Sequence, residues 1–223
     1  MDKGLKPAIF AQFSRVGKAL SNSNRLEILE FLAQGERSVD SLSKASGLTV
    51  ANTSQHLQQL RQAGMVTSRK AGQQVYYRLN GNDVYDLLNA LCGVAKNHLA
   101  EIDRLVESCI SNVDELDPVP KDELMSLIDN EKVTVIDVRD PEEFATGHLP
   151  GAKNIPAMQL DQHIDDLPSD QEVIAYCRGP YCILASAAVL RLRAAGVRAR
   201  HFHEGFPGWR NDGLPVESAA SNG

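Results

Sequence analysis

The sequence predicts two domains of different class. The N-terminal one is mainly α, with a helix-turn-helix and a β-hairpin, and the C-terminal one is α/β, with a parallel sheet flanked by helices. First, apolar residues recur at helical spacing through most of the opening half, then give way to short apolar strands alternating with helices. Second, charge divides along the chain: residues 1–110 hold 13 Lys+Arg against 10 Asp+Glu, whereas 111–223 hold 10 against 19. The two net charges, +3 and −9, make up the overall −6. Third, the stretch 111–120 is polar, acidic and punctuated by Pro118 and Pro120, as a linker would be. A chain of 223 residues suits two small domains, with boundaries at 1–110, 111–120 and 121–217.

Ile9, Phe10, Phe13, Val16 and Leu20 line one face of a first helix. Asn24 is expected to cap a second, carrying Leu26, Ile28, Leu29, Phe31 and Leu32, with Gly35 at its end. Val39–Ala45 then forms a short helix, Gly47 a tight turn, and Thr49 the cap of a helix carrying Val50, Thr53, Leu57 and Leu60. Two short helices joined by a glycine turn are the helix-turn-helix signature. Met65 to Leu79 reads as a hairpin around Gly72-Gln73, which makes the unit a winged helix. Val84, Leu88, Leu91, Ala95, His98, Ile102, Leu105 and Cys109 alternate at four and three along one long helix, a seam that with the first helix predicts a homodimer interface.

Between Arg37 and Asn80 stand Arg37, Lys44, Arg61, Arg69, Lys70 and Arg78 against Asp40 alone, a basic face on an acidic protein. Thr49, Ser54, Gln55 and His56 mark the start and face of the recognition helix, where their polar groups reach base edges. Arg69, Lys70 and Arg78 of the hairpin are placed to meet phosphate or the minor groove. Double-stranded DNA is the expected partner.

In the second half, Lys132–Val138 reads as a strand and Pro141 opens a helix at its first turn. Gln171–Tyr176 is a buried strand and Ile183–Ala195 a helix with Ile183, Ala187, Leu190 and Ala194 on one face. Ala199–His203 is a further strand. Between strand and helix lies Cys177-Arg178-Gly179-Pro180-Tyr181-Cys182. A cysteine there meets backbone N–H groups and the positive end of a helix dipole, which favour the thiolate. The crevice of such a fold lies at strand C-terminal ends, where Cys177 falls.

Four blocks in order, Ile136-Asp137-Val138-Arg139, Glu142-Glu143-Phe144 with Gly147-His148-Leu149-Pro150-Gly151-Ala152, Tyr176-Cys177-Arg178, and Glu204-Gly205-Phe206-Pro207-Gly208-Trp209, resemble a rhodanese domain. The resemblance implies a sulfurtransferase in which Cys177 takes sulfane sulfur from a donor as a persulfide and passes it to a thiol acceptor, over a loop of Arg178, Gly179, Pro180, Tyr181 and Cys182. Cys182 stands where such loops often end in a basic residue, and Pro180 lacks an N–H, which puts thiosulfate as donor in doubt. Cysteine phosphatases of related fold need an arginine where this chain has Ile183, so phosphatase or arsenate reductase chemistry is not expected. Cys182 is open to two readings, a small apolar residue or a thiol that resolves the persulfide.

The first half resembles the ArsR-type winged-helix repressors through Asn24-Arg25-Leu26-Glu27-Ile28-Leu29, Ser54-Gln55-His56-Leu57, Leu60-Arg61-Gln62-Ala63-Gly64-Met65-Val66 and Tyr76-Tyr77-Arg78-Leu79. The metal-ligand patterns of that family are incomplete, with only His98 and Glu101 in place, so no metal or cofactor is expected. Cys92 and Cys109 read as packing residues. With four cysteines in no CxxC pair, no membrane-length apolar run and no signal-peptide core, the chain reads as cytoplasmic. Two functions remain: a transcriptional regulator whose rhodanese domain links sulfur or redox status to DNA, and a sulfurtransferase whose winged helix only dimerises or tethers it.

Overall fold

A computed structural model of the chain describes residues 4–109, 116–180 and 182–218, and divides it into two compact units, Met1–Gly93 and Val94–Gly223. Half of the predicted linker, 111–115, lies outside the described residues.

The first unit runs α1 (Leu5–Leu20), α2 (Ser23–Gln34), β1 (Arg37–Ser38), α3 (Val39–Ser46), α4 (Val50–Gln62), β2 (Val66–Ala71) and β3 (Gln74–Leu79), then enters α5 (Asn82–His98). Side-chain caps start its short helices: Ser38 Oγ accepts from the Ser41 N–H at 3.2 Å and Thr49 Oγ1 from the Asn52 N–H at 3.3 Å. The cap of α2 is Asn22, not the expected Asn24; its Oδ1 accepts from the Arg25 N–H at 3.1 Å, and the helix starts two residues earlier. Gly47 turns α3 into α4 at φ +67°, a conformation costly to any residue with a Cβ. The strands form an antiparallel sheet in the order β1-β3-β2, with two-residue β1 unforeseen in the sequence. Ile28, Leu29, Leu32, Leu42, Leu57, Leu60, Met65 and Tyr77 fill the core.

The expected single long helix is two: α5, then α6 (Ala100–Cys109). At the break the Leu99 N–H still reaches the Ala95 carbonyl at 2.8 Å, but Ile102 reaches back only to Leu99, at 3.0 Å. The ladder tightens from a four-residue to a three-residue step, which breaks the seam's register.

The second unit holds α7 (Lys121–Asp129), β4 (Val133–Asp137), α8 (Pro141–Thr146), β5 (Lys153–Asn154), β6 (Glu172–Tyr176), α9 (Leu184–Ala194), β7 (Ala199–Phe202) and α10 (Gly205–Asn211). Its sheet is wholly parallel, in the order β5-β4-β6-β7. Side chains of β6 alternate between two cores: Val173 and Ala175 join Val189 and Leu192 of α9, while Ile174 and Tyr176 join Phe202, Phe206 and Trp209. The same period carries Cys177 to the α9 side. The buried stripe of α9 is Ala185, Ala188, Val189 and Leu192, rather than the predicted Ile183, Ala187, Leu190 and Ala194. Burial follows the helix's approach to the sheet, and four similar apolar residues on either stripe left that orientation undetermined.

Candidate functional site

Cys177 sits at the C-terminal end of the central strand β6, 2% exposed, with α9 starting beyond the loop. The loop is held from below. Its Cys177 carbonyl accepts the Phe206 N–H at 3.1 Å, and the Cys182 N–H closes onto the Gly179 carbonyl at 3.1 Å. Gly205 makes this approach possible. At φ +63°, a Cβ there would lie 2.5 Å from both the Cys177 carbonyl oxygen and the Gly179 nitrogen.

The Cys177 thiol faces the Cys182 carbonyl at 3.1 Å and the Gly179 carbonyl at 4.0 Å. Burial pushes its pKa well up, the neighbouring Cys182 raises it further, and backbone N–H groups of Ala185 and Gly179 only partly oppose this. Cys182 goes the other way. A hydrogen bond from Cys177 lowers it, burial opposes, and the N–H groups of Arg178 and Leu184 and the Arg178 charge add to the lowering. Burial of the Cys177 sulfur therefore opposes the lowering expected from the loop N–H groups and the helix dipole, and the two sulfurs titrate as a pair.

Arg178, the cation of the loop, is not turned to a substrate. Its guanidinium grips the Glu143 carboxylate through Nε at 3.0 Å and Nη2 at 2.7 Å, and reaches Asp140 at 3.2 Å. Burial works against its charge, but Glu143 more than offsets this and holds it firmly protonated. Glu143 comes from α8, 35 residues earlier, and is itself buried. Beneath it Asp137 and Arg139, both wholly buried, form an ion pair, and Arg139 Nη2 also bonds the Gly147 carbonyl at 2.7 Å. Gly179 and Pro180 bridge the loop, and Tyr181 lies outside the described residues. Glu143 and Gly205 appeared in the sequence only as parts of motifs; their roles depend on contacts too remote in sequence to leave a local signal.

In the first unit, Thr49, exposed, is engaged in capping α4, and Gln55 points to solvent. Ser54 and His56 are half-buried; burial and the Arg25 charge lower the His56 pKa. Asn52 and Gln58, passed over in the sequence, are exposed on the same helix. On the hairpin, register pairs Thr67 with Arg78 and Arg69 with Tyr76, so Arg69 and Arg78 share one face, with Lys70 on the other. Arg69 is held by Glu36 and stacks 4.9 Å from the Tyr76 ring. Lys70 and Arg78 are exposed and make no ion pair among the described residues. Among those residues, no group of three or more His, Cys, Asp or Glu is placed to hold a metal, and no helix is long and apolar enough to cross a membrane.

Comparison with known proteins matches both halves. Residues 22–68 fit the bacterial regulatory protein, arsR family, and residues 120–212 the rhodanese-like domain. The HTH-type transcriptional regulator Rv0324 of Mycobacterium tuberculosis is 39% identical over 218 residues, 98% of this chain and 96% of its own. A sulfurtransferase of Allochromatium vinosum is 31% identical over 90 residues, 40% of this chain and 83% of its own. The solved homodimeric winged helix-turn-helix DNA-binding domain Mb0332 of Mycobacterium bovis, a fragment, is 42% identical, covers 44% of this chain and 92% of its own, and has a TM-score of 0.42. With a relative matched from end to end, this chain belongs to the ArsR-family HTH-type transcriptional regulators that carry a C-terminal rhodanese-like domain.

Proposed function

We propose that this regulator links sulfane-sulfur status to transcription through a persulfide on Cys177. The observation that carries the reading is the thiol pair at the end of β6, where N–H groups of Gly179 and Ala185 face one sulfur and those of Arg178 and Leu184 the other. When a donor R–S–SH enters, the Cys182 thiolate takes the Cys177 proton. Cys177 attacks the outer sulfur, and R–S⁻ leaves, giving Cys177–S–SH. A thiol acceptor attacking the same sulfur restores the site. The sulfurtransferase relative supports this chemistry for the second unit.

The donor is a persulfide or polysulfide rather than thiosulfate. A dianion needs donors, yet the Cys182 N–H is committed to Gly179, Pro180 has none, and Arg178 is neutralised by Glu143 and Asp140. On DNA, α4 offers Gln55, Asn52 and Gln58 to base edges, Thr49 anchors its start, Ser54 and His56 stand at its flank, and Arg78, Lys70 and Arg69 of the hairpin serve phosphate. A unit serving only to tether an enzyme needs no such polar face, which favours the regulator over the tethered enzyme. A homodimer in the cytoplasm is the working form. Leu5, Ile9, Phe10 and Phe13 of α1 and Leu87 and Leu91 of α5 are exposed in the single chain, an apolar surface that a second copy would cover.

The test is operator binding by the whole protein with and without sulfane-sulfur loading, in wild type and Cys177→Ser. A loading-dependent change of about 5- to 150-fold in affinity in wild type alone is expected. A Cys177→Ser protein that responds as wild type does would remove Cys177 from the signal.

A further inference from the structure

We propose that Cys182 is the resolving nucleophile of this site: it attacks the Cys177 Sγ of the persulfide, forms a Cys177–Cys182 disulfide within the loop and expels the outer sulfur as hydrosulfide. The step rests on Cys177 carrying the persulfide. Its balance is Cys182–S⁻ plus Cys177–S–SH giving the disulfide plus HS⁻; the sulfane sulfur is reduced and the two cysteines are oxidised. A dithiol reductant returns the loop to its starting state, its own thiols becoming a disulfide.

Three observations place the attack. The backbone of residue 182 folds directly over Cys177, its carbonyl 3.1 Å from the Cys177 sulfur, and the two thiols lie within hydrogen-bonding reach. The Cys182–Gly179 hydrogen bond closes the loop on itself, and the close approach of Gly205 to Cys177 and Gly179 holds its other end, which keeps the two cysteines near each other. Cys182 also lies just ahead of α9, where the Leu184 N–H and the helix N-terminus stabilise its charge. It is half-buried and packs against the core while remaining nearer the surface than Cys177, as expected of a group that must lose a proton between steps. An apolar filler at this position would require neither the N–H groups nor the facing thiol.

The experiment uses the full-length reduced protein and glutathione persulfide, whose leaving group is a thiol, so that hydrosulfide above a protein-free control comes from the second step alone. Wild type is expected to release one hydrosulfide per chain and end lighter by two hydrogens, with a peptide cross-linked through Cys177 and Cys182. Cys182→Ser, and Cys182→Ala as a second variant, lose the base of the first step and load more slowly, so release is timed from protein already loaded to completion. These variants should then keep the extra sulfur on Cys177 and release hydrosulfide at least about tenfold more slowly than loaded wild type. A wild type that retains the sulfur on Cys177 with no cross-link overturns the resolving step but leaves the persulfide reading intact. So does release at the wild-type rate from both Cys182 variants. Sulfur loaded on Cys182 in Cys177→Ser would overturn both, because the two cysteines would then have exchanged roles.

Discussion

In the rhodanese-like unit even full charges are buried, Asp137 and Arg139 at 0% exposure and Glu143 at 1%, each held by partners from its own unit. In the winged-helix unit the large apolar side chains Phe10 and Phe13 stand 57% and 63% exposed. The contrast separates two kinds of function. The chemistry proposed for the buried Cys177 sulfur needs a geometry over-determined from within, and the ion pairs and the Gly205 wedge provide that. A surface that meets DNA and a second chain keeps its groups uncovered until the partner arrives, so its apolar and polar faces look unfinished in isolation.

The sharpest way to break this comparison is Asp137→Asn. It strands Arg139 in the core and is expected to cost about 3–5 kcal/mol in denaturant unfolding of the second unit while sparing DNA binding. If stability hardly moves, the buried pair is not what holds the site. A second test is pH. Burial, then the neighbouring His203, push His201 down to about 4 from an ordinary 6.5. The unfolded chain therefore takes the proton first as pH falls. The stability due to neutral His201 is full above about 6.5 and drains away toward 4, a loss of roughly 3 kcal/mol. Unfolding of His201→Asn, followed over the same window, should show a flatter profile, and an unchanged slope would assign the effect elsewhere.

Gly205→Ala tests the loop itself. A Cβ at positive φ against two backbone atoms should cost roughly 1–3 kcal/mol and slow sulfur loading by displacing the loop. Loading at the wild-type rate would show that the wedge is dispensable. The smallest effect belongs to the DNA face, where stability should not change at all. Arg78→Ala should reduce the salt dependence of binding by about one counterion, and Arg69→Ala by less, because Glu36 already neutralises it. Equal losses from the two variants would mean that Arg69 leaves Glu36 for phosphate on binding.

Local chemistry made much of this molecule legible without coordinates. The hairpin around Gly72-Gln73, the Gly47 turn, the Thr49 cap and the proline start of α8 depend on residues a few positions apart, and all four stand where their side chains require. The position of Cys177 between strand and helix was readable for the same reason, as was the parallel sheet, because alternating strands and helices permit little else. Where the sequence offered equivalent local choices, it did not decide between them. Asn22 and Asn24 both can cap α2, either stripe of α9 is apolar, and nothing near Leu99 marks the break between α5 and α6. Only tertiary structure decided which side chains α4 turns outward, that Arg178 is held by Glu143, and that the wedge beneath Cys177 is Gly205. The ionisation of the two thiols belongs there too. Sequence places a cysteine near N–H groups and a helix start, but the acidity of each sulfur follows from its depth, its facing neighbour and the distribution of those N–H groups, and these exist only once distant segments have packed.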